Sequence, residues 1–172
     1  MGNVHVTGER NGVTSNVGSF VANLPEMLSA MALDPRCLVA ILEFSDGRYV
    51  QFWVEPDGAT AAELVSNLNI GDAVALDCND EENLFAMGWS EPVAVHSPNW
   101  RRETDNAAGL FRLAIMVRRA VYEVLRERPD NLVTLRSFAL ERSGEGWREA
   151  QSTTRVYVTS PWDEIERFLR VR

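Results

Sequence analysis

At 172 residues the chain suits one domain with a substantial core, and its 45% hydrophobic content is ordinary for a globular protein. The formal net charge of −8 weighs against nonspecific nucleic-acid binding and against an anionic membrane surface, both of which need a basic field. All 17 basic residues are Arg, which excludes a lysine Schiff base and a P-loop lysine.

Residues 1–15 are polar and Gly-rich and read as a flexible segment, with a weak edge-strand signal at Val4-His5-Val6-Thr7. From Asn16 to Ala32 the apolar positions Phe20, Val21, Leu24, Met27, Leu28 and Met31 recur at three- and four-residue steps. This is a helix stripe, and Pro25 predicts a kink or restart inside it. Cys37 to Phe44 reads as a mostly buried strand, Ser45-Asp46-Gly47 as a turn, and Tyr49 to Val54 as the returning strand of a hairpin. Glu55 to Gly58 is a second turn; Thr60 to Asn67 is a third strand or a helical turn. Asp72 to Leu76 alternates and suggests a further strand. Glu81 to Met87 suits a short helix ending at Gly88, and Val93 to Arg102 is extended.

Asn106 to Arg126 carries the clearest helical pattern, with Leu110, Leu113, Ala114, Val117, Val121, Val124 and Leu125 on one face and Thr104 or Asp105 as the expected cap. Beyond Pro129, Leu132–Leu140 and Arg155–Thr159 read as strands with a loop at residues 143–146. Ser160-Pro161-Trp162-Asp163-Glu164 is a helix start, with Ile165, Phe168 and Leu169 on the apolar side. The expected division is a flexible segment 1–15, an α+β domain 16–129, and an extension 130–172 made of a hairpin and a helix.

Cys37 opens an apolar run and reads as a small buried hydrophobe; Cys78 precedes Asn79-Asp80-Glu81-Glu82, whose charge makes a thiol less reactive. With no signal-peptide pattern and no apolar run of membrane-spanning length, the expected location is the cytoplasm.

Four words in order carry a resemblance: the strand Tyr49-Val50-Gln51-Phe52, the segment Ala62-Glu63-Leu64-Val65-Ser66-Asn67, the turn Met87-Gly88-Trp89 before Pro92, and Pro98-Asn99-Trp100 ahead of a long helix. Over residues 17–128 the chain resembles the TY-Chap domains, actinobacterial relatives of type III secretion chaperones and YbjN-like proteins. Met87 stands where Leu is usual in that family, and Trp100 where Phe is usual. The resemblance implies an α+β fold with helices packed on one face of an antiparallel sheet, in αβββ-αβ-α order. It also implies a homodimer that binds a protein client and uses no cofactor. The family has no agreed catalytic residues, so none carries over.

Read residue by residue, Trp53, Glu63, Asn67, Trp89, Asn99 and Trp100 are the candidate protein-binding residues. Each has a plainer reading. The tryptophans are core aromatics first, with Trp53 or Trp100 as the ones to line a groove. Glu63 and Asn67 can bind the backbone of a neighbouring turn. Nine acids and no basic residue lie between Arg48 and Arg101, which is either a solvated acidic face or a surface for a basic partner. Asp77-Cys78-Asn79-Asp80-Glu81 begins like a calcium loop, yet Glu82 stands where Gly is needed and Gly88 where the bidentate Glu is needed. His5 and His96 are the two histidines, and no metal-ligand or catalytic-triad spacing surrounds them. The arginine row Arg112, Arg119 and Arg126, with Arg118 beside it, reads as a solvated helix face with local ion pairs.

The sequence thus points to a non-enzymatic, chaperone-like protein-binding module, with no role for nucleic acid, membrane or metal. Two alternatives follow from the same residues. One is an enzyme with a polar pocket near Glu63 and His96; the other is an acidic immunity-type partner of a basic effector.

Overall fold

Pro25 divides the first helical stripe. Asn16 caps α1 (Val17–Ala22) by accepting the Ser19 N–H at 2.7 Å, and α2 (Leu24–Met31) restarts with Pro25 in its first turn. A missing N–H costs nothing there, because first-turn N–H groups have no partner within the helix. The computed structural model describes residues 13–56, 58–93, 97–143 and 146–149.

Around these helices the chain builds β1 (Val13–Asn16), β2 (Cys37–Phe44), β3 (Tyr49–Val54), β4 (Thr60–Leu64), α3 (Cys78–Ala86), β5 (Trp100–Thr104), α4 (Ala107–Arg119), β6 (Leu132–Ser143) and β7 (Gly146–Glu149). The seven strands form one sheet in the order β1-β6-β2-β3-β4-β5, with β7 also paired to β6. Every pairing is antiparallel. The β2–β3 hairpin turns at Gly47, whose φ of 86° is open to glycine and strained for other residues. The α+β class and the αβββ-αβ-α order expected from the sequence hold, and β6 enters between β1 and β2 to join strands from both sides of residue 129.

Strand alternation gives the sheet two different faces. Leu38, Ala40, Leu42, Val50, Phe52, Val54, Ala62, Leu64 and Trp100 point into the main core, where they meet Phe20, Leu24, Leu28, Leu110, Leu113 and Val117 from α1, α2 and α4. Gly109 lets α4 lie close to β5, since a Cβ there would sit 2.7 Å from Thr104 Cβ. The other face carries the odd-numbered positions of β2, β3 and β5, and no described helix contributes to the apolar cluster on it.

Several local expectations are corrected. Residues 72–76 do not form a strand: Asp72–Val74 is a 3₁₀ turn, because the next ladder position is taken by β5. The cap of α4 is Asn106, accepting the Gly109 N–H at 3.2 Å, and not Thr104 or Asp105. The long helix is not continuous to Arg126; a π-helical turn at Ala120–Val124 follows α4, and Arg126 closes it with φ 54°. The extra residue per turn keeps Val121, Val124 and Leu125 all facing the core. The short helix before Gly88 starts earlier than expected, at Cys78, through a capping box between Asp77 and Asp80. The partner of β6 begins at Gly146. The proposed strands at residues 4–7 and 155–159, the helix from Ser160, and His5 and His96 lie outside the described residues.

Candidate functional site

Two adjacent rows cross the face on which no described helix packs. Register aligns Arg136, Ile41, Gln51, Glu63 and Arg101 in one row, and Phe138, Val39, Trp53, Ala61 and Glu103 in the next. The second row is apolar until it reaches β5; the first is polar from β3 outward.

Glu63 is the hub of the polar half. Its Oε1 accepts from the Arg101 guanidinium at 2.6 Å, and its Oε2 accepts from Gln51 Nε2 at 2.6 Å and Asn99 Nδ2 at 3.2 Å. Asn99 is 3% exposed, and its Nδ2 also donates to the Tyr49 hydroxyl at 3.1 Å while its Oδ1 accepts from Asn69 at 2.8 Å. Arg101 reaches Glu103 at 2.6 Å as well. Burial alone would make Arg101 easier to deprotonate, but the Glu103 and Glu63 carboxylates outweigh it and hold its pKa above the ordinary value. The network is charged at one end and satisfied throughout, so it orders the face and offers Glu103 and Arg101 to solvent.

The apolar half gathers Cys37, Val39 and Leu140, with Ile41, Trp53 and Phe138 packed against them. Burial pushes the Cys37 thiol up, and a hydrogen bond with the Trp53 side chain offsets part of the rise. Phe52, one position from Trp53, is fully buried on the opposite face.

The remaining sequence candidates go elsewhere. Asn67 lies beyond β4 and pins the following loop: its Oδ1 accepts the Leu76 N–H at 2.7 Å and its Nδ2 donates to the Leu76 carbonyl at 2.9 Å. Ser66 donates to the Pro98 carbonyl, which ties that loop to the start of β5. Trp89 and Trp100 are 2% and 3% exposed, inside the main core, and both indole Nε1 atoms are buried without a hydrogen-bond partner. Tyr49, Gln51, Asn69, Arg101, Glu103 and Phe138 were not singled out by the sequence. The alternation Tyr49-x-Gln51-x-Trp53 was the available signal for two of them, Tyr49 and Gln51; cross-strand register, which places the rest, leaves no mark in sequence.

The charged features resolve into pairs. Asp77 and Asp80 receive Arg126 at 3.4 and 2.9 Å, and Arg119 grips Glu123 through two bonds of 2.9 Å. Arg118 stands 5.9 Å from the Tyr122 ring centre. Among the described residues, no three His, Cys, Asp or Glu side chains are grouped to hold a metal ion. A recess of about 290 Å³ beside β5 is lined by Gly88, Ser90, Arg101, Arg102 and Glu103, and neither Glu63 nor Asn99 lines it.

An antiparallel sheet with helices packed on one face is the geometry the secretion-chaperone resemblance implied. The model of a family described as T3SS (YopN, CesT) and YbjN peptide-binding chaperone 3, TY-Chap3, matches residues 18–139. The chain belongs to this family. The TY-Chap3 match takes in β6 up to Ala139, the strand that completes the apolar row. No curated protein and no solved structure matches the chain. TY-Chap chaperones are in general non-enzymatic, and no described helix here is long and apolar enough to cross a membrane.

Proposed function

We propose that this TY-Chap3 domain is a non-enzymatic holder of a peptide segment of another protein, and that the segment lies across the sheet face on which no described helix packs. The supporting observation is the pairing on one face of an apolar row through Val39, Trp53 and Phe138 with a polar row through Gln51, Glu63 and Arg101. Trp53 is the apolar anchor, because a large, rigid aromatic surface loses little conformational freedom on contact. Glu63, Asn99 and Arg101 set the polar fringe that orients the segment. Trp89, Trp100 and Asn67 act indirectly, by holding β5 and its loop in place. The domain works in the cytoplasm as a homodimer, a reading supported by Phe111 and Ile115, 63% and 40% exposed one turn apart on α4.

The test is to pan a library of random twelve-residue peptides against the full chain and to measure the affinity of the enriched peptides. Trp53→Ala weakens them at least tenfold, Glu103→Arg changes their charge preference, and Phe111→Ala leaves them unchanged. Affinity indifferent to Trp53→Ala and Glu103→Arg alike overturns the reading.

A further inference from the structure

The Met87-Gly88-Trp89 turn does more than end α3. Gly88, at φ 81°, closes the helix: the Trp89 N–H donates to the Leu84 carbonyl at 3.0 Å and the Gly88 N–H to the Phe85 carbonyl at 2.8 Å. The Met87 and Gly88 carbonyls are left for other donors, and Arg102 Nη1 donates to both. Gly88 also makes room for that guanidinium, since a Cβ on it would fall on Arg102 Nη1. The charge is thus seated on backbone carbonyls. Among the described residues no carboxylate pairs with Arg102, whereas Arg101 beside it meets both Glu63 and Glu103.

Arg102 lines the recess beside β5 together with Gly88, Ser90, Arg101 and Glu103. β5 is the last strand on its side of the sheet. On the edge away from β4, Ser90 trades two backbone hydrogen bonds with Arg101, at 2.7 and 3.1 Å. Antiparallel alternation turns the backbone N–H of Glu103 to that same edge, and no described residue accepts from it. Arg102 Nε and Nη2, which together form one edge of the guanidinium fork, also have no partner among the described residues. A fixed cation and unfilled donors therefore meet in one recess.

We propose that this recess binds a carboxylate, held by the Nε–Nη2 edge of Arg102 and assisted by the Glu103 backbone N–H and the Ser90 hydroxyl. A planar carboxylate takes two parallel N–H bonds from one edge of a guanidinium. A phosphate dianion suits the place less, because its second charge would stand beside the Glu103 carboxylate. The carboxylate comes from a chain end or from an Asp or Glu side chain of a client segment. That source rests on the peptide-binding reading above; the anion site itself does not.

Titration of the ¹⁵N-labelled full chain tests the site. The probes are N-acetylglycine for a chain end, N-acetylaspartyl amide for a side chain, uncharged N-acetylglycinamide and inorganic phosphate. A carboxylate probe moves the Glu103 amide and the Arg102 Nε–H signals saturably, and the tighter of the two names the source. Arg102→Gln weakens that binding about tenfold or more, and Gly88→Ala does the same by unseating the guanidinium. Ser90→Ala, an exposed change that keeps the backbone bridge, weakens it about two- to fivefold. Signals unmoved by either carboxylate overturn the site, as does equal movement by N-acetylglycinamide. Phosphate binding as tightly as the carboxylates overturns the assignment to a carboxylate. Peptides enriched by panning are then remade with every carboxylate amidated. Affinity that falls about tenfold on the wild type and not on Arg102→Gln places a client's carboxylate in the recess; affinity unchanged on the wild type overturns that link. Carboxylate probes that bind while no enriched peptide does overturn the peptide-binding reading alone.

Discussion

Glu63 and Asn67 stand four residues apart in sequence and serve unrelated tasks. Asn67 imitates a backbone strand, trading two hydrogen bonds with Leu76 to close a loop. Glu63 faces three donors from three strands and segments, Gln51, Asn99 and Arg101. A carboxylate suits that position because both of its oxygens accept. In Glu63→Gln one of them becomes an NH₂ that meets either the guanidinium or two amide donors. We expect the variant to lose about 1–3 kcal/mol in urea unfolding, the cost of leaving buried donors unpaired. A loss no larger than that of an exposed surface substitution would show that the network adds nothing to stability. Trp89 and Trp100 illustrate the opposite case. Each contributes a large apolar ring to the core while its Nε1–H is left without a partner, so part of what the ring gains by burial is spent on desolvating one donor.

At the scale of elements, the strands of the first hairpin and the restart at Pro25 were legible because each signal is local. Alternation, a Gly at positive φ and a missing N–H act within a few residues. The segment 72–76 was misread because alternation alone does not say whether a ladder partner is free; β5 occupies that edge of β4, and the segment closes as a 3₁₀ turn. The helix from residue 106 shows the same limit. Its apolar stripe is plain, but the π-helical turn at Ala120–Val124 is chosen by core contacts. The cap at the start of α3 is an ionisable group, Asp77. The Asp80 backbone N–H, and then the Arg126 charge, hold the Asp77 carboxyl below its usual value. A carboxyl lowered on folding stabilises the native state above its unfolded pKa of about 3.9, and that contribution is lost as pH falls through the lower folded value. Asp77→Asn keeps a capping oxygen and removes the charge. The Tm of the wild type therefore exceeds that of Asp77→Asn near neutrality, and the gap closes below about pH 4; a gap independent of pH would mean that the charge of Asp77 has no part in holding the helix.

The whole molecule is a sheet with two unlike faces and a net charge of −8. Three of the nine acids between Arg48 and Arg101 are neutralised by arginines from outside that stretch: Glu63 by Arg101, and Asp77 and Asp80 by Arg126. This separates the peptide-holding reading from the acidic-partner reading. Apolar contact with Trp53 and Phe138 is insensitive to screening, whereas attraction between an acidic surface and a basic effector is not. Raising the salt from about 0.05 M to about 0.5 M shortens the Debye length from above 10 Å to below 5 Å. Affinity for an enriched peptide stays within about threefold on the first reading and falls more than tenfold on the second; isothermal titration at the two salt concentrations decides between them.

By itself the sequence determined the class of fold, the one-sided packing of helices on the sheet, and the family, because these rest on periodicity, turn residues and short words that are written locally. It also marked Trp53, Glu63 and Asn99 as residues of interest, and grouped Glu63 with Asn99 without joining Trp53 to them. Only the tertiary structure decided that Trp53 and Glu63 share one face in adjacent rows, that Trp89 and Trp100 lie in the core instead, and that β6 crosses between β1 and β2 to extend the apolar row. The physical reason is that strand register and strand order are set by contacts between residues as far apart as Val39 and Phe138, and no local propensity encodes a pairing across that distance.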